Sequence, residues 1–456
     1  SQCVCMNWNW IFRAVWMLCL GVNDMSREMK DSRVEWIGRI PEDWQITKLK
    51  YLGTYINGYA FKPDDWGNTG IRIIRIQDLT GSNDKPNYYS GNLDNKYLIK
   101  KGDILVSWAA TLEAFIWKKD YGWLNQHIFK ALPNEESISP EYFFWLLKVV
   151  MENMNNDNKH GIFMQHVTLG IFNNFFAPLP NKYEQKKIAY FLDGQCEKIN
   201  LAIEKAKVSI EEYRNLKQSF ITQIVTKGVN ENDTMKESGI EWIGKIPASW
   251  TVTQLRHCAS IRSGITLGKT YSKNTELVEM PYLRVANVQD GYVDTNDIAV
   301  LQVSKDEIEK YSLSAGEVLM TEGGDRDKLG RGCVWDGRIT PCLHQNHIFA
   351  VKVKEKLLNP HYLEYLTASS VGRTYFDVTA VKTTNLACTS SSKVLAFTIP
   401  LPSIDEQNEI VDYLKEKCGC IETVIFKKEQ FISELENYKK SLIYEYVTGK
   451  KEVPEI

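Results

Sequence analysis

The chain has 456 residues, of which 43% are hydrophobic and 25% are charged, and its formal net charge is −2. This length allows two or three domains, and the composition is that of a globular protein. The balanced charge excludes an overall polycation, although local basic patches can still contact nucleic acid. The cysteines follow neither a disulfide-like rhythm nor a zinc-binding pattern, which favours reduced thiols and a cytoplasmic protein.

Residues 1–28 are expected to be an extension outside the fold. Their apolar run, from Ala14 to Val22, is too short to span a bilayer. Arg13 precedes this run as in a signal peptide, but no small-residue cleavage site follows. Met25 and Met29 both resemble start residues, and we place the start of the first domain at Met29.

Two sequence motifs each occur twice, in the same order. Residues 29–49 read MKDSRVEWIGRIPEDWQITKL and residues 235–255 read MKESGIEWIGKIPASWTVTQL. Residues 177–185 (APLPNKYEQ) likewise match residues 399–407 (IPLPSIDEQ). The shared tryptophans are expected to anchor both copies in a core. They are Trp36, Trp44, Trp242 and Trp250.

This duplication predicts two similar domains, at residues 29–180 and 235–402, and a long-helix segment after each, at residues 181–234 and 403–456. Between the motifs the two domains differ in length and sequence, which indicates the same kind of task performed on different targets. Short β-branched runs such as residues 71–76, 103–108, 317–321 and 348–353 predict strands. Prolines precede predicted helices at residues 141–151 and 362–368. The predicted class is therefore α+β with β-rich domains.

The two long helical segments are predicted to pack on each other as an antiparallel coiled coil with pseudo-two-fold symmetry. Residues 184–227 contain no proline, and their apolar side chains repeat every seven residues, as do those of residues 406–450. Lys217 and Lys439 occupy matching polar positions. The predicted seam comprises Ile199, Ile203, Ala206, Ile210, Tyr213, Phe220, Ile224, Ile421, Ile425, Ile432, Leu435 and Leu442.

No catalytic or metal-binding signature is evident, since a phosphate-binding loop and a complete methyltransferase motif are both missing. The richest loop is residues 323–332 (GGDRDKLGRG), which fits no nucleotide-binding motif. It is interpreted either as a DNA-backbone contact through Arg326, Lys328 and Arg331 or as a solvated turn.

Amide side chains before His127 and His347 are candidates for reading base edges, because amides pair bidentately with adenine. The histidines themselves are more consistent with orienting a turn. The remaining DNA-binding candidates lie in the diverged middles of the two halves. The candidates outside the glycine-rich loop are Arg75, Gln77, Trp108, Gln126, Arg284, Asn287, Gln289, Gln345 and Asn346.

Taken together, the frame E-W-I-G-x-I-P-x-x-W, the P-L-P…E-Q entry and the heptad helices resemble the specificity subunit of a type I restriction-modification system. The second half adds YLRVANVQDG at residues 282–291 and TEGGDRDKLGRG at residues 321–332. The resemblance covers residues 29–451. The first half lacks the glycine-rich loop, and its counterpart is residues 107–111.

The resemblance implies that each domain reads half of a bipartite DNA target, asymmetric because the domains differ. The helices would set the spacing and dock two modification (methyltransferase) subunits, which use S-adenosylmethionine, and restriction subunits, which use ATP and Mg²⁺. This chain would be non-catalytic and bind no cofactor or metal. The alternative is a coiled-coil scaffold that binds proteins and has no DNA specificity.

Overall fold

The computed structural model describes residues 27–82, 85–109, 111–159, 168–324, 329–382 and 387–454. The chain forms two compact units. Unit 1 contains the described residues up to Glu204 and those from Phe431 onward, and unit 2 contains Lys205–Gln430. Each unit therefore includes part of both long helices, whereas the sequence predicted the helices as separate segments.

The strands of unit 1 are β1 (Met29–Asp31), β2 (Arg39–Pro41), β3 (Gln45–Lys48), β4 (Gly53–Asn57), β5 (Ile71–Ile74), β6 (Tyr88–Tyr89), β7 (Leu98–Ile99), β8 (Ile104–Ser107), β9 (Glu113–Ile116), β10 (Gly122–Leu124), β11 (Ile128–Pro133) and β12 (Phe176–Leu179). Its shorter helices are α1 (Leu49–Leu52), α2 (Ile76–Thr80), α3 (Pro140–Lys159) and α4 (Leu169–Asn174). Helix α5 (Lys182–Lys227) begins in unit 1 and continues into unit 2.

The strands of unit 2 are β13 (Met235–Glu237), β14 (Lys245–Pro247), β15 (Thr251–Gln254), β16 (Ala259–Ser263), β17 (Leu277–Leu283), β18 (Ala299–Ser304), β19 (Val318–Thr321), β20 (Gly323–Gly324), β21 (Gly332–Val334), β22 (Leu343–His344), β23 (Ile348–Val353), β24 (Val381–Lys382), β25 (Ala387–Cys388) and β26 (Thr398–Leu401). Its shorter helices are α6 (Leu255–Cys258), α7 (Lys305–Tyr311), α8 (Pro360–Ala368), α9 (Ser370–Thr379) and α10 (Ser391–Leu395). Helix α11 (Ile404–Val447) begins in unit 2 and ends in unit 1.

Equivalent sheets form the middle of each unit. Within the described residues of unit 1 the strand orders are β4-β11-β8-β9 and β6-β5-β10-β7. In unit 2 they are β16-β23-β19-β21 and β18-β17-β22. Strands β9 and β21 therefore occupy the same outer position in matching sheets. The repeated sequence motifs lie outside these sheets: β1 pairs with β2 and β13 with β14, while β3 pairs with β12 and β15 with β26.

The repeated motifs are joined to the helices by the same hydrogen bonds in both units. The buried indole of Trp44 donates to Glu184 (2.9 Å), and that of Trp250 donates to Glu406 (2.7 Å). The glutamate of each E-Q pair thus anchors the tryptophan of its own motif. This explains why both residues recur, because a buried indole N–H requires an acceptor.

The glutamine of each E-Q pair joins a long helix to the start of a shorter one. Gln407 Oε1 accepts from the backbone N–H of Asn359 (2.8 Å), and its amide nitrogen donates to two backbone carbonyls, those of Leu357 and Pro402. Gln185 makes the equivalent bond with the N–H of Ser139 (2.7 Å). Both glutamines are buried.

A third pair of bonds reaches the end of a long helix. Tyr142, at the start of α3, donates its hydroxyl proton to the carbonyl of Val447 (3.0 Å). Tyr362, at the start of α8, donates to the carbonyl of Val225 (3.1 Å). Both tyrosines are fully buried, and burial raises their hydroxyl pKa well above the usual value, so the hydroxyls stay protonated donors.

The long helices pack antiparallel within each unit. In unit 1, Phe191 stacks near Tyr446 (4.6 Å between ring centroids) and Lys439 donates to Asn200 (2.7 Å). Residue numbers therefore rise along α5 in the direction in which they fall along α11. In unit 2 the same sense joins Arg214 with Glu429 (3.0 Å), Lys217 with Glu422 (2.5 Å) and Phe220 with Tyr413 (5.9 Å between ring centroids).

The predicted seam residues face into these helix pairs. Most are buried: Ile199, Ile203, Ala206, Ile210, Ile224, Leu435 and Leu442. The others are half-buried: Tyr213, Phe220, Ile421, Ile425 and Ile432. Burial of one such aliphatic side chain contributes about 1.5–3 kcal/mol, so the heptad pattern dominates the pairing. The sequence did not identify Lys428, a buried residue whose Nζ lies 5.5 Å from the centroid of the Tyr213 ring.

The described fold begins slightly earlier than the predicted start at Met29. The guanidinium of Arg27 pairs with Glu184 (2.5 Å) and with Asp43 (2.7 Å). The carbonyl of Glu28 accepts from the N–H of Glu42 (3.0 Å). Residues 1–26 of the predicted extension lie outside the described residues.

Candidate nucleic-acid interface

Two parallel strands end at the same sheet edge in each unit. In unit 1, β5 and β10 are parallel neighbours with Ile74 opposite Leu124, so the following residues, Arg75 and Asn125, emerge together. In unit 2, β17 and β22 are parallel neighbours with Leu283 opposite His344. The carboxyl ends of parallel strands form a shared edge where ligands commonly bind. We call this the polar edge of each unit.

Loops after other strands join the polar edge through backbone hydrogen bonds. In unit 1 the N–H of Trp108 donates to the carbonyl of His127 (3.3 Å). In unit 2 the N–H of Glu322 donates to the carbonyl of His347 (2.9 Å). The loops after β8 and β19 are thereby held beside the turns that carry the candidate amides.

At each polar edge, a glycine lets two backbone segments approach each other closely. A Cβ atom at Gly58 would collide with the backbone carbonyl of Asn125, and one at Gly264 would collide with that of His344. Because these obstacles are backbone atoms, a side chain at either glycine would push the turn away. Glycine at these two equivalent positions therefore fixes the turns that carry Gln126 and Gln345.

The two arginines that follow the parallel strands remain available to a ligand. The Arg75 guanidinium lies 5.1 Å from the ring centroid of Trp66, whose exposed fraction is 46%. Arg284 pairs with the exposed carboxylate of Asp297 (2.7 Å). An exposed ion pair is worth about 0–1 kcal/mol, so a phosphate or a guanine edge can compete for Arg284.

The candidate amide side chains differ in their exposure and in the hydrogen bonds that they make within the fold. Gln77 is exposed and Gln126 is half-buried. Gln289 donates to the carbonyl of Ala286 (2.6 Å) and remains partly exposed. Gln345 is half-buried, and its Oε1 accepts from the N–H of Val285 (3.2 Å), which leaves its amide N–H groups for other partners.

Asn287 is a correction to the predicted DNA-binding set. Its side chain is buried, and its Oδ1 accepts from the N–H of Arg284 (2.8 Å). Its amide nitrogen donates to the carbonyls of Asp294 and Asp297, both at 2.9 Å. All three bonds shape the loop behind Arg284. Asn287 therefore supports the polar edge from within and does not face a ligand.

The glycine-rich loop is described only in part. Arg331 is half-buried, and its carbonyl accepts from the N–H of Thr321 (3.4 Å). Arg326 and Lys328 lie outside the described residues. In unit 1, Trp108 is half-buried with its ring stacked on Phe129 (5.7 Å between centroids).

Two residues of the polar edges, Glu322 and Trp66, were not on the predicted list. Glu322 Oε2 lies 2.6 Å from His347 Nδ1, and Asn346 lies beside the same ring (3.5 Å). Trp66 supports Arg75 in unit 1. The sequence carried a signal for Glu322, because it directly follows a strand, but none distinguished Trp66 from a core tryptophan.

The described residues contain no group of three or more His, Cys, Asp or Glu side chains arranged to hold a metal ion. Among the described helices, none combines the length and apolarity needed to cross a membrane.

Comparison with known families adds to this geometry. A family model for the type I restriction modification DNA specificity domain matches residues 41–212 and 247–434, which is well over half of the chain. The chain belongs to the type I restriction-modification specificity family. Members of this family are the non-catalytic DNA-recognition subunits, and the catalytic activities of the complex lie in partner subunits. The two matched segments confirm the internal repeat predicted from the sequence.

Similar proteins cover nearly the whole chain. The EcoBI specificity subunit of Escherichia coli is 22% identical over 441 residues, which is 94% of this chain and 91% of the relative. The MjaVIII specificity subunit of Methanocaldococcus jannaschii is 26% identical over 442 residues, covering 90% and 94%. A chain from a solved structure of a type I R-M system matches with a TM-score of 0.64 at 15% identity, covering 90% of this chain and 98% of that chain. This likeness confirms the predicted fold class.

Proposed function

We propose that this specificity subunit reads an asymmetric, bipartite sequence in duplex DNA, one half-site with each polar edge. The observation that carries the proposal is the repetition of one geometry with different side chains. The edge of unit 1 presents Arg75, Gln77, Trp108 and Gln126. The edge of unit 2 presents Arg284, Gln289, Gln345 and Asn346, and the sequence adds Arg326, Lys328 and Arg331.

These side chains suit the direct reading of bases. Arginine pairs bidentately with guanine, and glutamine or asparagine pairs bidentately with adenine, each contact discriminating by about 1–3 kcal/mol. Further lysines and arginines would contact phosphates and fix the register of the protein on the duplex. Because the side chains of the two edges differ, the two half-sites would differ as well.

The partner subunits of this function belong to the same proposal. Two modification subunits would use S-adenosylmethionine to methylate adenine, and restriction subunits would use ATP and Mg²⁺ to translocate and cut DNA. Helices α5 and α11 would fix the number of base pairs between the half-sites. The chain itself would supply recognition and docking in the cytoplasm.

Arg75→Ala and Arg284→Ala test the proposal separately for each unit. Methylated adenines would be sequenced in cells that carry each variant with its modification partner. We expect Arg75→Ala to relax one position of one half-site and Arg284→Ala to relax one position of the other. The matched control is Arg39→Ala, an exposed arginine that donates to the carbonyl of Met29.

Either of two results would reject this function. One is a methylated sequence that neither arginine alters. The other is wild-type binding to duplex DNA that does not weaken steeply as salt is added, because phosphate contacts release counterions. The second result would favour a protein-interaction scaffold.

A further inference from the structure

One position of the polar edge carries different chemistry in the two units on the same backbone. This position directly follows a sheet strand, and it holds Trp108 in unit 1 and Glu322 in unit 2. The backbone N–H of Trp108 donates to the carbonyl of His127 (3.3 Å), and that of Glu322 donates to the carbonyl of His347 (2.9 Å). The two residues are therefore equivalent in place, although one is aromatic and the other is acidic.

The backbone at Glu322 is held on two sides. Its N–H is bonded to His347, and its carbonyl accepts from the N–H of Thr389 (2.8 Å). The preceding residue, Thr321, is buried at the end of β19. The Glu322 side chain therefore extends from a fixed point, and it remains 31% exposed. A group that reads a base needs such support, because its contact must be positioned before the DNA arrives.

A single side-chain hydrogen bond orients the Glu322 carboxylate. Its Oε2 lies 2.6 Å from Nδ1 of His347. A carboxylate oxygen accepts, so Nδ1 carries the proton and donates it to this bond. The other ring nitrogen, Nε2, lies 3.5 Å from the amide nitrogen of Asn346. Within the described part of the chain, Oε2 is the only oxygen of this carboxylate that has a hydrogen-bond partner, which leaves Oε1 for a ligand.

Unit 1 shows that the turn forms without a carboxylate at this position. The indole of Trp108 offers no acceptor, and Nδ1 of His127 is buried without a hydrogen-bond partner among the described residues. The two rings instead meet edge to face, with 5.2 Å between their centroids. The backbone bond to the histidine is nevertheless the same as in unit 2. The fold of the edge therefore does not explain the carboxylate of Glu322.

A carboxylate oxygen favours one base in the major groove. Cytosine presents only its N4 amino donor there, whereas guanine presents the acceptors N7 and O6, and thymine presents O4 and a methyl group. Adenine has a donor at N6, but its N7 acceptor lies beside that donor. A group that only accepts is thus attracted by cytosine and repelled by the acceptors of the other bases. It also repels phosphates, so it gives no general attraction to DNA.

We propose that Glu322 reads a cytosine in the half-site of unit 2, with Oε1 accepting a hydrogen bond from the N4 amino group. This inference rests on the proposed function, which places the polar edge on duplex DNA. His347 is a positioning residue, because its N–H holds Oε2 and leaves Oε1 for the base. Trp108 cannot make this contact, so this reading of cytosine belongs to unit 2 alone.

Glu322→Gln tests the assignment with almost no change of shape. Methylated adenines would be sequenced in cells that carry the full chain with its modification partner, and the bases at each target position would be counted. We expect the wild type to require cytosine at one position of the half-site that Arg284→Ala alters. In Glu322→Gln the preference for cytosine over adenine at that position should fall about tenfold or more, because glutamine pairs with N6 and N7 of adenine.

Two further variants separate reading from support. Glu355→Gln is the matched control, since Glu355 is exposed and lies beyond the end of β23 that is remote from His347. His347→Ala keeps the carboxylate and removes its support. We expect this variant to select cytosine less strongly at the same position without gaining adenine. A substitution that only disturbed the turn would lower methylation at all sites and leave the preferred bases unchanged.

The assignment would be overturned by a half-site without cytosine, by an unchanged preference in Glu322→Gln, or by the same shift in Glu355→Gln. Relaxation in His347→Ala alone would also overturn it, because the histidine would then be the reading residue. If Arg284→Ala changes the half-site and Glu322→Gln does not, the proposed function stands and only the reading of cytosine fails. A wild type that methylates without sequence preference would reject both.

Discussion

Gln407→Leu removes three hydrogen bonds from one buried point while leaving the side-chain volume nearly unchanged. Gln407 has no exposed surface and serves the backbone N–H of Asn359 together with the carbonyls of Leu357 and Pro402. These atoms belong to the segment before α8 and to the segment before α11. The substitution therefore weakens the junction between the two helix starts without opening a cavity.

The cost follows from the groups left without a partner. A buried donor or acceptor that loses its hydrogen bond costs about 1–3 kcal/mol. Three such groups at the low end of this range give roughly 3 kcal/mol, because a leucine can offer nothing in return. Gln185→Leu should have a similar effect in unit 1, since Gln185 holds Ser139 in the same way.

Unfolding in urea, monitored by hydrogen exchange and mass spectrometry, reports on the stability of each unit separately. This separation is needed because a chain of two units need not unfold in one step. We expect Gln407→Leu to lower the protection of unit 2 and Gln185→Leu that of unit 1. The control is Gln430→Leu, at an exposed position of α11. If Gln407→Leu costs no more than this control, the hydrogen bonds do not stabilise the junction and the reasoning is wrong.

Three further predictions concern charge and length. Burial, together with nearby Arg262, lowers the pKa of His344 from 6.5 to about 4. As the pH falls, the unfolded chain takes up a proton before the folded chain does, so unit 2 should lose up to roughly 3 kcal/mol of stability between pH 6.5 and pH 4. His344→Gln should remove this pH dependence of stability in urea titrations. Burial also lowers the pKa of Lys439 below 10.5. Lys439→Met should therefore raise the urea midpoint of unit 1 at pH 7, and this gain should shrink as the pH approaches 10.5. A lower urea midpoint of the variant at pH 7 would contradict this prediction. Insertion of one heptad into both α5 and α11 should lengthen the gap between the two half-sites by about three base pairs, since seven helical residues span roughly 10 Å and a base pair about 3.4 Å. Methylome sequencing that shows changed bases within the half-sites would refute the spacing role of the helices.

The helices and the repeated frame could be predicted from the sequence because their signals are local and periodic. Apolar residues at heptad spacing identify a buried face whatever lies opposite. The E-Q pairs were recognised as markers of a helix start. Their partners were not, because the N–H groups of Ser139 and Asn359 carry no sequence signature.

The polar edges were harder to predict, because solvent exposure depends on distant parts of the chain. Asn287 follows Arg284 in a pattern that suggests a ligand contact, yet it is buried and closes a loop. Glu322 lies at the edge only because strand β19 delivers it beside His347. The division of each long helix between two units could not be predicted either, since no break in the helical sequence marks Glu204 or Gln430.

The hydrogen bonds from Tyr142 to Val447 and from Tyr362 to Val225 have an evolutionary consequence. Tryptophan, glutamine and tyrosine make the same contacts in both units, so the surrounding frame accepts either of two diverged middle sequences. A recombination event that replaces one middle between these anchors leaves all three contacts intact. Under the proposed function, such an exchange would change one half-site in a single genetic step, without altering the other half-site or the helices.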